Sequence, residues 1–404
     1  MSLNTPTVDD ITLEALDVFE NTLVALKTCN RDHEKKFGSN QGGKIGDQLR
    51  VRKPAQFTVR SGQNWNGQNV DEQYDTLVIN YQKGIDFSMS SMERKLDLNS
   101  MSRQILKPAI VRLANEVDMD VLRVGTQAIA QAVGTPGATP SALSTYLAAG
   151  KLLTNQTCPR GKGMRHLMLD ADAEAGAIDF LKGLFENGNS LSKQYDSAEM
   201  GYAVGMHWNV DQNVYTHTVG TYAGTSLTNG AGQSGATLIT DGWTSGAVTL
   251  NKGDVFTIAD VYDVNPVSKA TLKNLKQFVV TAQISDTTGD MIIPISPAIV
   301  GPGSPFQNVN ALPADGKAIT LLGATGTVSP QNVVWHKDAV TVAIVGLDKP
   351  EGVNNAAVKY DEQSGLGLRY IEWYDGDTDL WKSRFDVVYG ILPQRPEWGV
   401  RIAG

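Results

Sequence analysis

The chain has 404 residues, enough for two or three domains, and its 41% hydrophobic content allows an ordinary packed core. Its 43 acidic residues outnumber 35 basic ones for a formal charge of −8, and no Lys/Arg-rich block stands out, which argues against duplex binding through a basic stripe. The two cysteines, Cys29 and Cys158, match no metal or redox spacing, so they read as reduced thiols of a cytosolic protein.

The N-terminus has no basic stretch followed by an apolar one, so no secretory signal is expected. Asp9 and Asp10 precede Ile11, Leu13, Leu16, Phe19, Leu23 and Leu26, an amphipathic helix at a terminus. Its apolar face needs cover, from its own core or from a neighbouring subunit. A Gly-rich loop, Gly38 to Gly46, follows.

Two strand-like arms come next, Leu49 to Arg60 and Asp75 to Phe87, in which Leu77, Ile79 and Tyr81 alternate with polar or smaller residues. Between them lie Ser61 to Asn69, small or amide residues except Trp65, with Asn64 and Asn66 beside it. A lone two-stranded ribbon is marginal in water. A ribbon with an indole at its tip therefore asks for a docking surface, unless Trp65 is held in its own domain.

Leu106, Ile110, Leu113, Val117, Val121, Val124 and Ala128 trace one helical face, with Arg112, Asn115, Glu116, Asp118 and Arg123 mostly off it. The helix is predicted from Ala109 to Ala132 and stopped by Gly134, Pro136 and Gly137. A second helix is predicted from Thr139-Pro140, a cap followed by proline, to about Leu153. Arg165 to Asp170 reads as a buried strand, and a helix follows with Asp170 or Asp172 as its cap.

From Gln212 through Thr240 there is no Asp, Glu, Lys or Arg. Short apolar runs separated by Gly, Pro and Asn continue to about Val328 and predict a small all-β module inserted in the chain. Val340 to Leu347 is the most apolar stretch and is far too short to cross a bilayer, so no membrane partner is expected. The end predicts a hairpin around Asp375-Gly376-Asp377, with Trp381, Phe385, Val387 and Tyr389 on one face and Ser383 as its exception.

Motifs for chemistry are incomplete. Gly38 to Lys44 has phosphate-loop spacing, but Ile45 stands where the magnesium-binding hydroxyl belongs. Gly230, Gly232 and Gly235 match a dinucleotide fingerprint that leads into a strand instead of a helix. Asp375, Asp377 and Asp379 begin like a calcium loop, but Leu380 and Asp386 occupy the glycine and glutamate positions. The five histidines make no zinc-binding pair, and a hydrolase built on His166 with Asp170 or Asp172 would rest on spacing alone. No catalytic, cofactor or metal site is expected.

Several stretches, in order, resemble the coat proteins of P22-like phages, the branch of the HK97-fold capsid family with an inserted β-domain. They are Trp65 to Phe87, Arg112 to Leu122, His166 to Glu186, Lys252 to Val261, Val333 to Leu347 and Trp373 to Val400. The resemblance implies an α+β HK97-like capsid fold. Residues 1–46 would be the N-arm, 47–90 the extended β-loop lying on an adjacent subunit, and 91–135 the spine helix and peripheral domain. Residues 136–211 and 333–404 would give the axial domain and the rest of the peripheral domain, with 212–332 as the inserted domain. It also implies a major capsid protein of the virion, made in the host cytoplasm. Pentamers and hexamers would assemble on a scaffolding protein around a portal and enclose double-stranded DNA without reading its sequence.

The inter-subunit contacts expected on this reading involve Trp65, Asn64, Asn66, Leu77, Ile79, Tyr81, Phe19 and Leu23. The family's insertion carries a charged loop between capsomers, whereas its counterpart here, Thr216 to Thr240, has no formal charge apart from His217 when protonated. The covalent Lys–Asn cross-link of some HK97-fold shells is not implied. The competing reading is a phage tail or decoration protein whose 212–332 region binds a glycan, with Trp208 and Trp243 as handles.

Overall fold

The computed structural model describes residues 8–33, 47–54, 57, 62–65, 67, 72–90, 105–181, 201–246, 248–286, 288–350, 355–360 and 367–404. In chain order, α1 (Val8–Thr22) precedes the strands β1 (Gln48–Arg52), β2 (Tyr74–Val78) and β3 (Tyr81–Ser90). The long helix α2 (Lys107–Ala128) leads to β4 (Ala132–Gly134), α3 (Leu143–Asn155), β5 (Arg165–Leu169) and α4 (Ala171–Leu181). Then come β6 (Tyr202–Ala203), β7 (Met206–Val210), β8 (Thr216–Thr218), β9 (Gly224–Thr228), β10 (Gly235–Trp243) and β11 (Thr249–Leu250). They are followed by β12 (Val255–Val264), β13 (Thr271–Val280), β14 (Ile284–Ser285), β15 (Met291–Ile299) and β16 (Ile319–Leu321). The chain closes with β17 (Val328–His336), β18 (Thr341–Val345), β19 (Ala356–Tyr360), β20 (Gly367–Asp375), β21 (Leu380–Leu392) and β22 (Gly399–Ala403).

Two compact units result. The first is drawn from Met1–Val51, Asp75–Val121 and Thr341–Leu392. Its sheet is organised on β21, which pairs with β3 from Leu380↔Ser90 to Tyr389↔Tyr81 and with β20 and β18 in turn. Phe385, Val387 and Tyr389 are buried on one face, as the period of two predicts. Ser383 shares that face because its hydroxyl meets the Tyr370 hydroxyl at 3.1 Å, which satisfies a polar group in an apolar layer. Phe87 and Tyr81 of β3 stack on Phe385 and Tyr389. The outer ion pair of Arg384 with Asp86 is short at 2.7 Å but exposed, so it contributes less than about 1 kcal/mol. Each buried aromatic contributes roughly 1.5–3 kcal/mol, so burial dominates here.

The second unit is drawn from Arg52–Tyr74, Leu122–Val340 and Pro393–Gly404. A mixed sheet of order β4-β22-β17-β5-β7-β6 runs through it, with β8 also on β17. Tyr146, Ala149 and Leu153 of α3 and Ala173 and Ala177 of α4 pack with Leu167, Leu169, Val334 and Ile402 of that sheet. The strand-rich stretch forms a separate six-stranded sheet, β16-β12-β13-β15-β10-β9, around Leu238, Phe256, Ile258, Phe278, Ile293 and Ile295. It is fastened by polar contacts. The Gln277 amide bonds both the N–H and the C=O of Ala132 at 2.9 and 2.8 Å, and Asp263 accepts from Gln156 and Lys276 at 2.7 and 2.8 Å.

Three boundaries differ from the sequence expectations. Helix α2 ends at Ala128 instead of Ala132, because Ala132–Gly134 joins β22 as a parallel strand. Helix α3 begins at Leu143, not Pro140, and the Pro140 carbonyl accepts the Tyr146 hydroxyl at 3.1 Å. The second ribbon arm divides after Val78: β2 pairs with β1, while β3 leaves to pair with β21. The chargeless stretch is also not one loop, since it holds β8, β9 and the start of β10.

Candidate assembly surface

Among the described residues, the ribbon is paired at its base. Val51, Leu77 and Ala343 form a small core with Leu49, Ile79 and Leu392 packed on it. The Lys53 N–H donates to the Gln73 carbonyl at 2.8 Å, and the Ile79 N–H to the Asp47 carbonyl at 2.9 Å. Three described aromatics of this stretch face water: Trp65 is 88% exposed, with Phe57 at 62% and Tyr74 at 52%. The indole of Trp65 lies over Gly67, where an added Cβ would overlap the far edge of the ring.

The N-terminal helix is different. Phe19 and Leu23 are buried, as are Ile11, Ala15 and Leu16. Just past α1, the carboxylate of Asp118 accepts the backbone N–H groups of Val24, Ala25 and Leu26 at 2.6, 3.2 and 3.0 Å. Asp118 itself is buried on α2, although the helical pattern placed it off the apolar face. Burial and this carboxylate together push the nearby Cys29 thiol far above its ordinary range, so it stays a thiol.

The eight expected contact residues therefore separate. Trp65 and Asn64 are exposed, and Ile79 and Tyr81 are half-buried, Tyr81 stacking on Tyr389 at 5.3 Å. Phe19, Leu23 and Leu77 lie in the core of their own chain and leave no surface for a neighbour. An amphipathic stripe has one signature whichever chain covers it, which is why sequence pattern could not separate the two. Asn66 lies outside the described residues. Phe57 and Tyr74 were not singled out, although both are aromatic and flank the same ribbon.

Tyr81 belongs to a polar junction between β3, α2 and β21. Lys83 meets Glu116 at 3.0 Å and Asp120 at 3.4 Å, and the Tyr389 hydroxyl donates to Asp120 at 2.7 Å. The Glu116 bond leads in raising the Lys83 pKa above its ordinary value, and burial leads in raising that of Tyr389.

Among the described residues, the other motifs resolve into ordinary structure. Gly230, Gly232 and Gly235 all have positive φ, the first two in the turn between β9 and β10 and the third at the start of β10, where no helix begins. The glycine loop at Gly38 to Lys44 lies outside the described residues. His166 bonds the Gly163 carbonyl and stacks on His207, while Asp170 caps α4 by accepting the Ala173 N–H, so the two occupy opposite ends of β5. His217 is not a free charge on a loop, because its Nε2 meets the buried Asp254 at 2.8 Å. Trp208 and Trp243 are buried, with their indole N–H groups donating to Ala203 and Thr240, so neither is a handle for a glycan.

In the hairpin turn, Asp375 accepts from Lys382, Thr378 and the Asp377 N–H, which together hold its pKa down at about 2. Its contribution to the turn is present above the ordinary carboxylate pKa and is lost as pH falls through about 2. A carbon-detected NMR titration is expected to find that midpoint and to find it raised in Lys382→Met. An unmoved midpoint in the variant would discard this account of the turn.

The family model for P22 coat protein, gene protein 5, matches residues 1–404. The chain belongs to the P22 coat protein family. It is accordingly a major capsid protein of a tailed phage, with the HK97-like fold of that family, and its place is the virion. Copies of it build the shell, so the protein is homo-oligomeric in function. No curated protein matches the chain. Among solved structures it is similar to one from Mycobacterium phage Che8, at 12% identity over 94% of this chain and 90% of that one, with a TM-score of 0.48. It is similar to the mature capsid of bacteriophage PhiM1 at 9% identity, covering 89% and 82% of the two chains with a TM-score of 0.44. The CUS-3 coat protein I-domain is similar at 26% identity over 24% of this chain and 95% of that domain, with a TM-score of 0.20. No helix among the described residues is long and apolar enough to cross a membrane.

Proposed function

We propose that this coat protein forms pentamers and hexamers, closes on a scaffolding protein around a portal, encloses double-stranded DNA without reading its sequence, and performs no catalysis. Residues 1–46 act as the N-arm and 47–90 as the loop laid on an adjacent subunit. Residues 212–332 are the inserted domain, and 91–211 with 333–404 are the peripheral and axial remainder.

The observation that carries the reading is Trp65, an indole 88% exposed on a ribbon paired only at its base among the described residues. Covering such a ring is worth on the order of 3–4 kcal/mol, too little for a stable dimer but ample when repeated around a closed shell. Contacts of that strength also let misplaced subunits leave. The absence of catalysis is supported by His166 and Asp170, which are each engaged at separate ends of β5.

Deleting Ser61 to Asn69 is expected to leave the circular dichroism and thermal midpoint of the subunit nearly unchanged. Negative-stain microscopy of the deletion coexpressed with its scaffold should show no closed particles. Normal particles tens of nanometres across would overturn the proposal.

A further inference from the structure

Although the chain is acidic, its fold brings several cations together around one turn. The turn between α3 and β5 reads Cys158-Pro-Arg-Gly-Lys-Gly-Met164. Its base is fixed by Arg165, a buried guanidinium that donates to the carbonyls of Cys158 and Pro159. The Gly163 carbonyl is held by His166 at 3.2 Å, and the Met164 carbonyl accepts the Lys337 N–H at 3.0 Å. That last bond seats the short 3-10 turn Lys337–Ala339 beside the loop. Arg395 joins the same turn through its N–H to the Ala339 carbonyl and lies 4.1 Å over the Trp398 ring.

Arg160, Lys162 and Lys337 are all exposed, and among the described residues none of them meets a carboxylate. Several other cations are paired: Lys83 with Glu116, Lys276 with Asp263, Lys317 with Asp260, Arg369 with Asp386 and Lys382 with Asp375. Among the described residues, the acids whose charge reaches Cys158 are Asp338 and Glu397, which raise its pKa while Arg165 lowers it. Set against Arg160, Lys162, Arg165, Lys337 and Arg395, they leave the neighbourhood positive. Its field is felt by two imidazoles. Burial leads in depressing the pKa of both His166 and His336, and Lys337 lowers each further.

The backbone adds to this. The N–H groups of Arg160, Gly161, Lys162 and Gly163 have no acceptor among the described residues. A glycine-flanked turn with free N–H groups and two flanking cations can present several donors to one tetrahedral oxyanion. A planar side-chain carboxylate would use fewer of them.

We propose that the 158–164 loop with Lys337 is a contact point for the phosphate backbone of the packaged DNA. This rests on the reading of the shell as a DNA container and names where the chain would touch its cargo. The contact is independent of sequence, since phosphates position a duplex without distinguishing its bases. It also differs from a basic stripe, because a patch of this size neutralises about three phosphates.

The test is fluorescence anisotropy of a labelled 20-base-pair duplex with purified full-length subunits across a salt series. Wild type is expected to lose roughly 40-fold in affinity between 50 and 200 mM salt, as release of counterions from about three phosphates requires. The triple variant Arg160→Ser, Lys162→Ser, Lys337→Ser should lose most of that binding and its salt slope. Lys252→Ser, Lys273→Ser, Lys349→Ser, which removes three other exposed cations, should keep both. Equal binding by the two triple variants, or no binding by wild type at 50 mM salt, would overturn the assignment. Polyglutamate competing as well as the duplex would overturn it in favour of an acidic protein partner. Scaffold-assisted assembly of the same variants reports separately on the container reading, because shells are expected from all of them.

Discussion

Asp118→Ala is expected to lower the unfolding free energy by roughly 3–5 kcal/mol, because it strips the acceptor from three buried or part-buried backbone N–H groups at once. Each of those donors would stay away from water without a partner. The loss should be local in its first expression. Hydrogen exchange at Val24, Ala25 and Leu26 should accelerate before the sheet on β21 opens, because their protection depends on a carboxylate more than ninety residues away. Asp118→Asn keeps one carbonyl oxygen and should fall between wild type and alanine. The measurements are urea unfolding followed by tryptophan fluorescence, and exchange by mass spectrometry. An alanine variant with an unchanged midpoint and slow exchange at residues 24–26 would remove Asp118 from this role. Because the N-terminal helix then loses its tether while keeping its apolar face, the variant should also assemble poorly. A functional defect would thus arise without any contact between subunits being touched.

Asp118 marks the limit of what could be read from the chain. The period of the helix around it placed Ile110, Leu113, Val117 and Val121 inside, and they are inside. The same period placed Asp118 outside, because a pattern records which face is apolar and not which backbone donors happen to end there. The strands of the insertion were legible from their turns, and the closing hairpin from Asp375 to Asp377 was legible from its residues. What pairs with β3 was not, since strand pairing across nearly three hundred residues leaves no local trace. Trp65 was legible as an indole in need of cover because everything around it is small or an amide, but whether its own domain supplied that cover was not. Phe19 and Leu23 were legible as needing cover, but which chain supplies it is a tertiary fact. The cationic loop was invisible for the same reason. Arg160 and Lys162 are neighbours in a chain of net charge −8, but Lys337 and Arg395 are distant in sequence, and only the fold brings them to the same turn.

Gly390→Ala should be the most damaging single methyl that can be added near the ribbon. Gly390 sits in β21 opposite Ala343, and an added Cβ would be driven into the Val78 carbonyl and to within 2.9 Å of the Ile79 Cδ1. The obstacle is backbone, so no side-chain rotation relieves it, and the crossing of residues 78 and 79 over the strand must move. We expect a loss of about 2–4 kcal/mol from this overpacking together with disruption of the small core of Val51, Leu77 and Ala343. Gly67→Ala is the informative contrast. There the added methyl meets only the far edge of an exposed indole, which can swing away, so unfolding should be unaffected. Together the two glycines distinguish the ribbon's foundation from its tip. Gly390→Ala should reduce both stability and shell yield, whereas Gly67→Ala should leave stability intact and change yield only by redirecting Trp65. If Gly390→Ala unfolds with wild-type urea midpoints, the close approach of residue 78 to β21 is not what holds the base of the ribbon, and the placement of its exposed end must have another cause.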